Sequence, residues 1–165
     1  MSLEDILKSL VGLKLIGSSR AANMECFKFG ELTKVGKNIY GKYALHIQCP
    51  WRIVNSKKIL IASDDLFEQP GNLTEYDPDF EWDMPNGNDR DQKLKLFFEE
   101  NTPKVKKTYL SKFGDLIITF ENEIELSLFP SLSKQSEYSE YWRIFDSKKE
   151  DSKHFVYSAI GLEIE

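Results

Sequence analysis

The chain has 165 residues, 41% of them apolar, 30% charged and 13% aromatic, with a net charge of −5. That length fits a single domain, 1–165, able to bury a real core, and the aromatic content excludes a disordered chain. No apolar run nears the roughly 20 residues of a membrane span, and no basic-then-apolar leader opens the chain, so a soluble cytoplasmic protein is expected.

Ser2 is placed to cap a short helix, with Asp5 as its capping-box partner. Leu3, Ile6, Leu7 and Leu10 follow at helical spacing, and Gly12 is a natural stop. The period then changes to that of strands. Residues 13–17 and 22–29 read as two strands around a turn near "GSSR", and Gly36 and Gly41 mark a further turn.

The clearest pattern comes next. Tyr43, Leu45, Ile47, Cys49, Trp51 and Ile53 share one parity, while Lys42, His46, Gln48 and Arg52 share the other. Side chains alternate faces along a strand, so this is a long half-buried strand. Pro50 has no N–H to give a ladder and predicts an edge, bulge or bend. Residues 57–62 are expected to pair back on it as a hairpin.

Residues 63–91 form an unusually long irregular stretch with three of the six prolines. Its ten acids face one base, Arg90, a local charge of −9 that leaves +4 for the rest of the chain. "NGNDRD" then opens a helix over 91–101, closed before Pro103. Strands are predicted at 104–112, 116–120, 124–129, 141–145 and 154–160, with "ENE" as a tight turn and 130–139 as a polar connection. The fold class is α+β: a mostly antiparallel sheet curled into a barrel or sandwich, with two helices packed on one side.

The basic remainder is scattered lysine with no Arg-rich block, so nucleic acid is not an expected partner, nor is a membrane. Within the acidic stretch, "DPDFEWD" alternates acids with Pro78, Phe80 and Trp82. Asp77, Asp79, Glu81 and Asp83 match the first four ligand positions of a calcium loop. Trp82, however, stands where that loop needs glycine, and Asn88 where it needs glutamate. In an extended chain the four acids would span about 20 Å, too far for one ion. No metal or cofactor is expected.

Two readings of the stretch remain. It is a solvated loop, or Phe80, Trp82 and Met84 bury beneath an outward stripe of acids that docks a basic protein. The partner-binding candidates are Asp77, Asp79, Phe80, Glu81, Trp82 and Asp83.

"HIQCPWR" offers a rival site. His46 and Cys49 fall on opposite faces of a regular strand, so Cys49 reads as a buried thiol unless Pro50 re-aims it. Arg52 and Arg143 each sit beside a Trp and an Ile and could clamp a carboxylate, or pair with an internal acid such as Glu25 or Glu123. His46, Cys49, Arg52 and Arg143 are thus the candidates for a small-ligand or enzymatic pocket. Phosphate loops, zinc signatures and nucleophile elbows are missing, which points away from an enzyme. Cys26 and Cys49 are expected to stay thiols.

"YALHIQCPWRIV", then "ASDDLF", then "ELSLFP", "EYWRIF" and "HFVYSAIG" resemble a family of small bacterial proteins without an assigned activity. In size, acidity and lack of catalytic motifs that family resembles immunity proteins, which neutralise the toxins of neighbouring bacteria. The resemblance implies a toxin domain as the partner and carries no site residues.

Overall fold

The computed structural model describes residues 1–136 and 138–165. Helix α1 (Leu3–Leu10) begins at a full capping box: Ser2 Oγ accepts from Asp5 N–H, and Asp5 accepts from Ser2 N–H at 2.8 Å. Strands β1 (Leu15–Ala21) and β2 (Met24–Phe29) follow, then the small hairpin β3 (Thr33–Val35) and β4 (Asn38–Tyr40). Next come β5 (Tyr43–Ile47), β6 (Trp51–Val54) and β7 (Ile59–Ala62), then α2 (Asp89–Glu100). The last third holds β8 (Val105–Leu110), β9 (Leu116–Phe120), β10 (Glu125–Leu128), β11 (Glu140–Asp146), β12 (Phe155–Ser158) and β13 (Gly161–Ile164).

The fold is α+β, and every described strand pairing is antiparallel. One sheet runs β1-β2-β5-β11-β12-β13, a second runs β7-β6-β10-β9-β8, and neither closes into a barrel. The predicted long strand is β5 plus β6. Pro50, unable to continue the ladder, marks the point where the chain leaves the first sheet for the second.

Both sheets contribute to one core. Phe27 meets Trp51 edge-on at 5.1 Å, and Trp142 Nε1 donates to the Gly114 carbonyl at 2.7 Å. The first helix packs on β8 and the second on β7 and β1, so the two helices meet opposite edges of the five-stranded sheet. No described helix is long and apolar enough to cross a membrane.

Two expectations need correction. "GSSR" is strand, and the turn falls at Ala22–Asn23, with Ala22 at φ 50°. Polar residues there signal a partner across the fold, Arg20 above all, and not a loop. The predicted final strand, 154–160, is β12, but it is not the last: the chain doubles back after Ser158 into β13.

Candidate functional site

The acidic segment begins as a 3-10 turn, Ser63–Phe67, stapled by the Asp65 carboxylate accepting from Ala62 N–H at 2.9 Å. Farther on, the Gln69 side chain donates to the Glu75 carbonyl and accepts from Asp77 N–H. The "DPDFEWD" stretch is not extended. Phe80 N–H donates to the Asp77 carbonyl, Met84 N–H to Glu81 and Gly87 N–H to Met84, giving successive turns. The signal lay in Asp77-Pro78, an acid at the first position of a turn and proline at the second. Alternate acids therefore do not form one straight stripe, and Met84 is exposed. Trp82 is half-buried against Phe67, with ring centroids 5.6 Å apart, and Phe80 is half-buried too.

Arg20, reaching from β1, holds the segment in place. Its Nε donates to the Asp91 carboxylate at 2.9 Å and its Nη1 to Asp83 at 2.8 Å. Its Nη2 lies within 3.4 Å of the carbonyls of Trp82, Asp83 and Met84. A planar fork suits this job, because one guanidinium satisfies carboxylates and carbonyls at once. Asn88 caps α2 by accepting from Asp91 N–H, and its amide donates to the Trp82 carbonyl.

Lysine and arginine neutralise only part of the charge. Arg20 takes Asp83 and Asp91, and Lys93 takes Asp65 and Asp89. Asp64, Glu68, Glu75, Asp77, Asp79 and Glu81 have no cationic partner among the described residues. The same segment exposes Phe67, Leu73, Met84 and, 83% exposed, Tyr76.

Behind the segment, a cleft of about 670 Å³ opens between β1 and α2. Glu25, on β2, lines it; both Glu25 and its ion-pair partner Arg90 are 1% exposed. The contact from Arg90 Nη2 to Glu25 Oε2 is 3.2 Å but lies off the hydrogen-bonding direction, so that oxygen has no hydrogen-bond donor. Burial raises the Glu25 carboxyl from its ordinary 4.5 to about 7, against the opposing pull of Arg90 and the Ser18 hydroxyl. Arg90 also donates to the carbonyls of Ser63 and Asn23 and lies over the Trp51 ring at 5.6 Å. Sequence reasoning counted Arg90 only as the lone base in an acidic run. The available signal was an arginine on the apolar face of a helix, four residues before Leu94.

The rival residues do not converge. His46 and Arg143 are register partners in the six-stranded sheet. Arg143 pairs with Glu140 and Glu165, and its Nη1 lies 3.2 Å from His154 Nδ1. His154 stacks on Phe145 at 4.0 Å, and His46 meets the same ring edge-on at 5.0 Å. Burial, and then the Arg143 charge, lowers the pKa of both histidines. Arg52 is exposed in the other sheet, opposite Ser127. Cys49 belongs to the core, where burial pushes its thiol up to about 12. The internal acid Glu25 belongs to Arg90, not to Arg52 or Arg143. Among the described residues no three His, Cys, Asp or Glu side chains gather to hold a metal.

Compared with protein-family models, curated proteins and solved structures, the chain matches none.

Proposed function

We propose that this chain is a non-enzymatic, cytoplasmic protein-binding domain that docks a basic partner on its acidic segment. In keeping with the immunity proteins it resembles, that partner is a toxin domain, neutralised by being covered. The observation that carries this reading is the set of six carboxylates without cationic partners, standing on a backbone fixed by Arg20, Gln69 and Asn88. Such a field speeds capture of a cationic protein and disfavours acidic ones. A surface already held in place loses less entropy on binding. Tyr76, Leu73, Phe67 and Met84 supply the exposed apolar anchors that binding energy needs. The two sheets over one core, read as a sandwich, form the rigid platform beneath. Covering a partner needs no catalytic group. The rival pocket has only His46 and Arg143 side by side, with Cys49 and Arg52 elsewhere.

The test compares full-length protein with a variant carrying Asp77→Asn, Asp79→Asn and Glu81→Gln in affinity capture from extracts of the native organism. Wild type is expected to recover a basic protein at low salt. The variant, with an unchanged melting temperature, is expected to lose it. Recovery of the same proteins by both, or of none by either, would overturn the reading.

A further inference from the structure

The first strand is an edge strand with only one end covered. Residues 13 and 15 bond to 103 and 105, and β2 occupies the inner side. Beyond Leu15, no described strand pairs with its outer edge. An unpaired edge offers alternate N–H and C=O groups to any extended chain, and proteins usually cover or charge such edges. Here the cleft runs beside it. Gly17, Ser18 and Ser19 form one wall, and Leu94 and Phe98 on α2 form the other. A Cβ built on Gly17, which shares its face with Lys28, would meet nothing within 4 Å, so the face of the strand turned away from α2 is clear there.

The wall chemistry selects what could lie in this space. Asp83, Asp91 and Glu99 outnumber Arg20 and Lys95 along the cleft, and Glu25 adds an almost fully buried oxygen without a hydrogen-bond donor. Leu94 and Phe98 supply an apolar strip. A peptide in strand conformation presents alternate side chains to opposite sides, so one parity can face the apolar strip while the other carries charge.

We propose that β1 takes an extended segment of the basic partner as an added strand. Main-chain hydrogen bonds to 17–19 hold that segment. Side chains of one parity face α2, apolar ones on Leu94 and Phe98 and a cationic one at Glu99, while those of the other parity face away from it. This deepens the docking reading and rests on it: Asp83 and Asn86 belong to both the acidic segment and the cleft, so capture on one leads into the other.

The probe is a blocked eight-residue peptide alternating lysine and valine, titrated into the isotopically labelled full chain. Amide resonances of Gly17 to Ser19 and signals of Leu94 and Phe98 are expected to shift together and saturably. N-methylation of alternate peptide amides should weaken binding about tenfold or more, since it removes the strand donors while keeping charge and apolar content. The same peptide, added in excess, should displace the partner in capture from extracts.

Equal binding of the methylated peptide, or shifts confined to 75–84, would overturn strand addition. So would a dimer that the peptide dissolves, which would give the edge to a second copy. In partner capture the two readings separate. Loss only on neutralising the acidic segment removes strand addition and keeps docking. Loss only on adding the peptide keeps the edge and removes acidic docking.

Discussion

Arg90 Nη2 lies 3.2 Å from Glu25 Oε2, and both side chains are sealed from solvent between α2 and β2. Breaking such a pair from one side leaves an uncompensated buried charge, which costs about 3–5 kcal/mol. Arg90→Met is therefore expected to destabilise the fold by roughly 3 kcal/mol or more, measured by urea unfolding. Adding Glu25→Gln to it should restore much of the loss. If the double variant is no more stable than Arg90→Met, the carboxylate is not what the arginine serves.

Glu25 also predicts a pH dependence of opposite sign to a surface carboxylate. Its pKa rises from 4.5 to about 7 on folding, so the folded state holds the proton more tightly. The stabilisation is complete below about 4.5 and is lost as pH rises through 7. At about 1.4 kcal/mol per pH unit, the span amounts to about 3 kcal/mol. Wild type should lose stability over that window relative to Glu25→Gln, as read from paired chemical-denaturation curves at a series of pH values. Parallel curves would rule the assignment out.

Arg20 gives the acidic segment its shape. Replacing it with Ala strands the carbonyls of Trp82, Asp83 and Met84 and leaves Asp91 without its guanidinium. Charge-assisted bonds of this kind contribute about 1.5–3 kcal/mol. Arg20→Ala should raise amide exchange and protease cleavage across 80–88 well before global unfolding. Arg20→Lys should rescue little, since an ammonium cannot bond carboxylates and three carbonyls together. Full protection in Arg20→Lys would show that charge alone suffices.

Much of this architecture was legible because periodicity reports burial. Leu3 to Leu10 and Tyr43 to Ile53 each carry a stripe of one period, and Pro50 announced the bend by what it lacks. The turn between β1 and β2 was not legible, because Ala22 adopts a left-handed backbone that its side chain does not advertise. Half of the site was visible as an excess of acid. The cationic half was hidden, because Arg20 lies 63 residues before Asp83 and 71 before Asp91. Long-range pairing of polar groups leaves no local period to read.

The thiols are expected to be silent in the folded protein. Burial pushes Cys49 up to about 12 and Cys26 up to about 11, so neither holds appreciable thiolate at neutral pH. A thiol reagent such as DTNB should label neither in buffer and both in denaturant. Rapid native labelling, mapped to Cys49 by mass spectrometry, would revive the rival pocket.

Two glycines should respond in opposite ways to alanine. Gly114 sits at φ +89°, and an added Cβ would fall 2.6 Å from the Tyr157 ring. That ring cannot easily yield. It stacks on Trp142 at 5.4 Å, and its hydroxyl donates to the Lys112 carbonyl at 2.9 Å. Trp142 in turn donates to the Gly114 carbonyl, so displacing this turn also pulls on a bond between the two sheets. Gly114→Ala should cost about 2 kcal/mol or more, adding backbone strain to the clash. Gly17 has no such neighbours and no left-handed backbone, so Gly17→Ala should be neutral or stabilising by up to about 1 kcal/mol. Paired thermal melts decide it: equal losses at the two positions would mean that the space around the added Cβ does not set the cost.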